Sequence, residues 1–574
     1  MSAIVSYRML ITPLSPVHIG TGESYEPTNY VIEDGVLHEF DTGSVIDALS
    51  SGDRKALLEI GNRRPDSAMI LAARKFFFDR RELLMPWAIQ RIPVAGYVSD
   101  LYKERIARAA QVDKSGAKVL NELAIDRTGY NPATRLPVLF GSSLKGAIRT
   151  ALLDKANSGK PATEKKGLHE FQGRIFKYLN DHGKPVLELD PMRLVQLSDA
   201  VWQGEPGLPA VQVHLAVNRK KLEVKDKQGK VRKSQAETKE LYQVLECVSG
   251  WRYRAFAGQI NLQSVPDVDS HDKKGQRRLP AADLHFAIAQ IARACNDFYK
   301  RSLESENSLM RGRGYLDQSW DKAVQQLLAT ARDKMERGQA FIVRVGRHSG
   351  AESVTLNGVR SIKIMEGKGP DGRNRSSNAS AAKTLWLAAD SKDQSSGLLP
   401  FGWILVDLHP IDTPAPEWRE LEDACEPGLA TARNLAKKLA EQKDRLEEAK
   451  ALGEMRKREE EKKARLAAES EARRQREKAD RQARLAAMTA EARAISELHE
   501  WFEQDTQAKN LKPGGRVINR LNELFRQADS WPTDACCSLA DLAEEIFNEP
   551  SVGWGSGDKK RERKARIESL RAKT

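Results

Sequence analysis

The chain has 574 residues, more than a single hydrophobic core usually holds, so we expect two to four structural units. Its 93 lysines and arginines against 80 acidic residues give a net charge of +13, which favours a polyanionic partner. Five cysteines without a CxxC pair exclude a disulfide framework and a zinc ribbon. The N-terminus has no signal-peptide pattern and no window approaches 18 apolar residues, so we expect a cytoplasmic protein without a membrane segment.

The first predicted element is a buried strand at residues 4–11, which ends at Pro13. A loop from Pro16 to Gly22 follows and contains His18, which lies two residues before Gly20. An imidazole titrates near neutrality, so His18 is a candidate general base for RNA cleavage, although no acid stands beside it. A packing role is the more common one for such a histidine. Residues 45–127 are mostly helical in pattern and predict an insertion.

The segment Leu136–Asp154 predicts a strand, a tight turn at Gly141 and a helix. Ser142 or Ser143 is expected to cap the helix, whose positive end then faces the turn and favours an anion. Lys145 and Arg149 are four residues apart and therefore share a helix face, where they can hold consecutive phosphates. A capped amphipathic helix with two solvated cations is the alternative.

Three catalytic motifs compete for this segment. A P-loop fails because Ala147 and Ile148 replace its lysine and hydroxyl residue, and a nucleophile elbow fails because Lys145 replaces its last glycine. The S-x-x-K pattern fits Ser142 to Lys145. Its two partner motifs, S-D-N and K-T-G, are matched in order by Ser198-Asp199-Ala200 and Lys383-Thr384-Leu385. Each match lacks the last residue of its motif. A serine acyl hydrolase therefore remains a weak alternative.

Further along, the aromatic and basic residues of WRYRAF at 251–256 suit either base stacking or the core, with the core favoured for Trp251. An acidic cluster could ligate a divalent metal, but its polar surroundings favour a solvated loop. That cluster comprises Asp267, Asp269, His271 and Asp272. An amphipathic helix is predicted after Leu279.

A glycine-rich hairpin is predicted where a strand at 341–345 runs into Gly346-Arg347-His348-Ser349-Gly350 and resumes at Val354–Leu356. Its glycines let backbone amides approach phosphates, and Arg344 and Arg347 add charge. Strands at 383–387 and 400–404 follow.

The composition changes after Pro410. A linker at 411–428 precedes a solvated charged helix at 429–496, about 100 Å long at 1.5 Å per residue. A small helical unit follows at 497–548, and a basic tail that frays from Lys559. We expect everything after Pro410 to be dispensable for folding of the preceding part.

Three of these segments resemble the RAMP-superfamily subunits of type III CRISPR effector complexes. The central segment carries that family's glycine, serine and basic positions in Gly141, Ser142, Ser143, Lys145, Gly146 and Arg149. The run from Leu14 to Glu23 is similar to the family's first strand and loop, and the glycine-rich loop is similar to its second hallmark. Together they point to the fifth Csm subunit of type III-A complexes, over about the first 410 residues.

The resemblance implies an α+β fold with two ferredoxin-like (RRM-like) lobes, at 1–265 with its helical insertion and at 266–410. It also implies a non-catalytic subunit that caps the 3′-end side of the crRNA, contacts the neighbouring RAMP backbone subunit and assists 3′ maturation by host nucleases. No cofactor, metal or membrane is expected. The predicted RNA-binding residues are His18, Gly20, Gly22, Gly141, Ser142, Ser143, Lys145, Gly146, Arg149, Arg344, Gly346, Arg347, His348 and Gly350. The rival from another class is a metal-independent CRISPR RNA endoribonuclease that uses His18 or His348.

Overall fold

A computed structural model describes most of the chain, in two compact units at Met1–Gly453 and Glu454–Thr574. The described residues are 4–106, 108–112, 118–120, 123–161, 168–225, 228–229, 231–265, 279–368 and 373–573. The acidic cluster at 267–272 lies outside them.

The first unit contains twenty strands and eleven helices among its described residues, and a twelfth helix begins in it. Its first half contains β1 Ile4–Pro13, β2 Gly20–Tyr25, β3 Tyr30–Glu33, β4 Val36–Glu39, α1 Thr42–Ala48, α2 Ser51–Gly61, α3 Ser67–Asp79, α4 Arg81–Leu84, β5 Gln90–Pro93, α5 Gly96–Arg105, β6 Ala109–Val112, β7 Lys118–Leu120, β8 Ile125–Thr128, β9 Val138–Leu139, α6 Gly141–Asn157, α7 Leu168–Ile175, β10 Val195–Leu197, β11 Ala200–Trp202, β12 Val211–Lys220, α8 Gln235–Thr238, β13 Tyr242–Val248 and β14 Phe256–Gln263. Its second half contains α9 Ile288–Gly312, α10 Gln318–Thr330, α11 Arg332–Glu336, β15 Ala340–Arg344, β16 Ile362–Lys368, β17 Asn374–Ala379, β18 Thr384–Ala389, β19 Leu399–Pro400, β20 Trp403–Pro410 and the start of α12 Arg419–Ala487.

The larger sheet has the order β15-β20-β1-β14-β11-β9, and β10 also pairs with β14. All of these pairs are antiparallel. Its central strand β1 is rich in β-branched and apolar residues, which suit a strand buried within a sheet. The N-terminal strand therefore holds together strands that come from residues 256–263 and 403–410.

The second sheet has the order β19-β18-β12-β13-β8-β2 and contains one parallel pair, β13 with β8. Both sheets combine strands from before residue 265 with strands from after residue 340. The mixed helix and strand content and the long C-terminal helix confirm the predicted class in outline. The two ferredoxin-like lobes at 1–265 and 266–410 remain a prediction.

Helices α6 and α9 pack against each other and against the larger sheet. Tyr299 of α9 donates from its hydroxyl to the carbonyl of Ala147 in α6, at 3.1 Å. Phe256, Phe341 and Trp403 are fully buried in the same core, and each such ring stabilises the fold by about 1.5–3 kcal/mol. The amphipathic helix predicted after Leu279 is thus α9, the helix that covers the sheet.

Helix α12 starts within the segment that we expected to be a linker. Trp418, just before it, and Leu421 and Cys425, in its first two turns, are buried in the main core, and Pro427 lies inside the helix. Packing of an apolar stripe therefore outweighs the cost of an interior proline. Beyond this stripe the helix is mostly exposed, although Leu446 packs against the core around Phe77 and Lys450 lies over the ring of Trp87. Several of its described ion pairs run from a basic to an acidic residue four positions later, such as Arg465 to Glu469.

The second unit also contains helices α13 Ala490–Gln507, α14 Arg516–Gln527, α15 Thr533–Asn548 and α16 Asp558–Arg571. They share a core of their own, built around Leu498, Leu521 and Leu539. The prediction of a frayed tail from Lys559 is wrong, because Ile567 and Leu570 of α16 are buried in that core. Among the described residues, no helix combines the length and the apolar character needed to cross a membrane.

These contacts correct the expectation that a chain ending at Pro410 folds as well as a longer one. We expect residues 1–453 to melt cooperatively and residues 1–410 to melt at a clearly lower temperature, because the shorter chain exposes the surface that Trp418 covers. Within 1–453, Trp418→Ala should cost about 3–5 kcal/mol. Thermal and urea denaturation of the three proteins measure this. Equal stability of 1–410 and 1–453 would contradict the role of the α12 start.

Candidate nucleic-acid interface

The predicted turn at Gly141 is present, but its geometry differs from the expected one. Helix α6 starts at Gly141 itself, and the amide N–H of that residue donates to Oδ1 of Asp199 at 2.8 Å. The prediction that Ser142 or Ser143 caps the helix is therefore wrong. A Cβ on residue 141 would lie 2.5 Å from the carbonyl oxygen of Ser198, so glycine is required by close backbone packing.

Arg149 forms an ion pair within the fold and is therefore not the solvated cation of the alternative interpretation. Its Nη1 contacts both carboxylate oxygens of Asp190, at 3.0 and 2.7 Å, and its Nη2 donates to the hydroxyl of Tyr178 at 3.2 Å. The guanidinium also lies over the ring of Phe176. This charge is neutralised within the fold, so Arg149 fixes the chain around residue 190 against α6.

Lys145 remains the available cation of the motif. It is half-buried and makes no ion pair within the described part of the chain. Burial lowers the pKa of its ammonium group, and the charge of Asp190 opposes that effect. Ser142 and Gly146 are exposed beside it. Of the hydrolase motif, the Ser198 hydroxyl bonds to the backbone of residues 199 and 259, so Ser198 and Asp199 both support the turn.

His18 lies beneath the surface of the N-terminal loop and is 1% exposed. Its Nδ1 is 2.7 Å from the carbonyl oxygen of Glu246, and burial lowers its pKa. The imidazole is thus a neutral, hydrogen-bonded group that holds the loop to β13. Gly20 and Gly22, by contrast, are exposed, and Gly22 has a φ of +86° that favours glycine.

The glycine-rich loop at 346–350 packs directly on this N-terminal loop. The amide of Arg347 donates to the carbonyl of His18 at 2.8 Å. A Cβ on Gly346, whose φ is +81°, would collide with that same carbonyl oxygen. The predicted hairpin is wrong, because β15 pairs with β20 and the chain continues into a short 3-10 helix, with no strand at 354–356.

The three predicted side chains of this loop have different roles. Arg344 is 3% exposed, with Nη1 2.6 Å from Glu306 and Nε donating to the carbonyl of Phe401, so its charge is internal. Arg347 is exposed and pairs with Asp126 of β8.

The imidazole of His348 stacks on Trp386, and its Nε2 is 2.9 Å from Oε1 of Gln243. Burial lowers the pKa of this imidazole to about 3, and the positive charge of Arg347 adds to that effect. At neutral pH it is therefore uncharged.

Residues 128–130 join these two loops to the start of α6. The amide of Gly129 donates to the carbonyl of Ile19 at 2.7 Å, and the amide of Val138 donates to the carbonyl of Gly129 at 2.8 Å. The 18–22 and 346–350 loops thus touch directly, and residues 129–138 link them to the strand that precedes residues 141–146. We call the exposed residues of these three segments, at 18–22, 141–146 and 346–350, the three-loop surface.

A scan of the sequence against protein families matches residues 10–276 to the RAMP superfamily. The match covers just under half of the chain, and we call the matched part the RAMP domain. It includes the segments at 14–23 and 141–149, so their resemblance to this superfamily is confirmed.

No curated protein sequence matches the chain. Among the solved structures that resemble it are two of Csm proteins. One is a chain of a Csm–crRNA–target RNA ternary complex from a type III-A CRISPR-Cas system, with 16% identity and a TM-score of 0.39 over 70% of this chain and 100% of that chain. The other is Csm5 from T. onnurineus, with 15% identity and a TM-score of 0.37 over 69% of this chain and 99% of that chain.

Sequence reasoning missed Glu246, the buried acid beneath the loops of the RAMP domain. It is 2% exposed and accepts hydrogen bonds from the Tyr25 hydroxyl at 2.8 Å and the Thr128 amide at 3.0 Å. Burial raises the pKa of its carboxyl group to about 7. The available signal was a lone acid in VLECV, a run that is otherwise apolar.

The remaining candidates belong to the fold. Residues 251–254 of WRYRAF precede β14, where Arg254 pairs with Asp407 and the Tyr253 hydroxyl accepts from the amide of Trp418. Trp251 is half-buried against the core, as favoured. Within the described ranges, no group of three or more acidic, histidine or cysteine side chains could hold a metal ion.

A matched pair of glycine variants tests the contact between the two loops. Gly346 and Gly350 have similar positive φ values, so Gly350→Ala should cost about 1–2 kcal/mol through backbone strain alone. Gly346→Ala should cost more, because its Cβ also meets the His18 carbonyl. Chemical denaturation of both variants measures the difference. Equal losses would show that the contact is unimportant.

Glu246 should make stability depend on pH. Its pKa of about 7 in the folded state exceeds its ordinary value of 4.5, so folding retains a proton that the unfolded chain releases. This contribution is present below pH 4.5 and is lost as the pH rises to 7. We expect the free energy of unfolding of the unmodified protein, relative to Glu246→Gln, to fall across this range. Urea denaturation at several pH values measures it, and parallel curves would contradict the assignment.

Proposed function

We propose that this protein is a non-catalytic crRNA-binding subunit of a type III-A CRISPR (Csm) effector complex. Within that complex it caps the 3′-end side of the crRNA, contacts the neighbouring RAMP backbone subunit and assists maturation by host nucleases in antiviral defence. The supporting observations are that residues 10–276 match the RAMP superfamily and that the RAMP-like loops at 18–22 and 346–350, far apart in sequence, are in backbone contact.

The three-loop surface suits an RNA backbone more than a base. Its exposed positions are mostly glycines and serines, which allow close approach to backbone amides, with Lys145 as an unpaired cation beside them. Arg347 can exchange its exposed partner Asp126 for a phosphate at little cost, since exposed ion pairs are worth less than about 1 kcal/mol. Such contacts position RNA without reading its sequence.

Several predicted RNA-binding residues do not contact the RNA in this proposal but support the loops that do. His18 and Arg344 are buried, and Arg149 is neutralised by Asp190, so each of them shapes a loop or a helix end. Gly141 and Gly346 are packed against the backbone of Ser198 and His18 and belong to the same supporting group. The residues proposed to face RNA are Gly20, Gly22, Ser142, Ser143, Lys145, Gly146, Arg347 and Gly350.

The state of both histidines supports a non-catalytic role. A general base for RNA cleavage needs access to the 2′-hydroxyl and a pKa near the working pH. His18 is buried and bonded to the backbone of β13, and the pKa of His348 is about 3. Neither imidazole meets both requirements.

Lys145→Ala should weaken binding of single-stranded RNA by a similar factor for unrelated sequences, because one phosphate contact is lost. It should also reduce the salt dependence of binding by a slope of about 0.7. Lys155→Ala, at the far end of the same helix, is the matched control and should change neither quantity. Fluorescence anisotropy of labelled RNA across a salt series measures both, alongside thermal melts.

Arg149→Ala should instead lower the melting temperature, because Asp190 loses its partner. Unchanged RNA affinity in Lys145→Ala, with an unchanged melting temperature, would remove the central claim.

The purified protein should leave repeat-containing RNA intact, with magnesium or with EDTA, because no placed acid and base pair is present at the histidines. Gel analysis after long incubation measures this. EDTA-resistant cleavage that disappears in His18→Ala or His348→Ala would establish the endoribonuclease instead.

A further inference from the structure

An open groove of about 640 Å³ lies between helices α13 and α15 of the second unit. We call its apolar lining the floor, and the floor comes from both helices and from Pro532, just before α15. Its side chains are Ala492, Ile495, Pro532, Ala535 and Leu542, and His499 of α13 is part of the polar lining. Ile495 and Ala535 are partly exposed, so the groove presents apolar surface that the unit's own helices leave uncovered.

One wall of this groove carries a straight acidic stripe. Asp534, Asp541 and Glu545 are spaced at positions i, i+7 and i+11 of α15, with Ser538 at i+4, so all four lie on one face. The stripe is about 17 Å long at 1.5 Å per residue. Asp541 pairs with Arg571. Asp534 and Glu545 are exposed and make no ion pair within the described part of the chain.

We propose that this groove docks a basic amphipathic helix of a partner protein. An apolar floor takes the apolar face of a helix, and the carboxylates at its border attract lysine or arginine at matching spacing. Three turns of helix cover the length of the stripe. The same carboxylates repel a phosphate backbone, so the charge favours protein over RNA as the occupant.

A designed peptide provides the probe. It is a helix of leucine, alanine and lysine, with an apolar face and with lysines at i, i+4, i+7 and i+11 along its border. The control peptide has glutamate at the lysine positions. Titrated into the full-length protein, the lysine peptide should change in fluorescence anisotropy and bind less tightly as salt rises. The glutamate peptide should not bind.

Charge-reversal variants locate the site. Asp534→Lys with Glu545→Lys should weaken binding of the lysine peptide at least tenfold. Glu562→Lys with Glu568→Lys makes the same charge change at exposed positions of α16 and is the matched control, which should retain most of the affinity. Ala535→Trp should block the groove without changing its charge. Thermal melts show whether each variant is folded.

Two outcomes overturn the proposal. One is a failure of the lysine peptide to bind, or an equal loss of its affinity in both charge-reversal pairs. The other is a concentration-dependent dimer, measured by sedimentation, that disappears only in Asp534→Lys with Glu545→Lys, because the occupant would then be a second copy of the chain.

Discussion

The pairing of β1 with a strand on each side determines where the 18–22 and 346–350 loops lie. Arg8 of β1 is opposite Gln259 in β14 and His409 in β20, and a shift of either register by one residue would turn the apolar face of β1 outward. The chain leaves β1 toward the 18–22 loop, and the amide of Gly402 beside β20 donates to the carbonyl of Pro16. Since β15 also pairs with β20, the 346–350 loop lies at the same end of the strands. The contact between the 18–22 and 346–350 loops is thus a consequence of strand pairing, whereas β9 runs antiparallel to β1 and carries the chain to Gly141 in the other direction.

Local patterns predicted the elements whose cause is local. β1, α6, α9 and the long helix follow from apolar or charged periodicity within a single segment, and each is present. The errors at the start of α6 have a different physical origin. Its capping oxygen comes from Asp199 and the partner of Arg149 is Asp190, both more than a helix length further along the chain. Which carboxylate reaches which donor depends on strand order, and no local pattern encodes that order.

The sequence indicated which segments contain the candidate residues, but it did not indicate what each residue contacts. Glycine patterns indicate where a side chain is not tolerated, but they do not say whether a ligand or the protein itself occupies the space. At Gly346 the space is filled by the carbonyl of His18, whereas at Gly350 no backbone atom lies close. The same holds for charge, because Arg344 and an exposed arginine look alike in sequence. Glu246 was missed because a buried acid is recognised by its partners, Tyr25 and Thr128, and they come from other segments.

The net charge of this chain is a weak guide to its partners, because many of its charged side chains pair with one another within the fold. Arg127 and Arg135 both pair with Glu39, as Arg149 does with Asp190, so these cations hold loops together and do not attract RNA. A ligand responds only to exposed charges close to it, since salt screens exposed charges beyond about 8 Å. On that scale we propose that Lys145, among glycines, attracts a phosphate. We propose likewise that the carboxylates along the groove between α13 and α15 attract a basic helix, although both surfaces lie in a chain of net charge +13. The sign of each surface, taken residue by residue, therefore decides its class of partner.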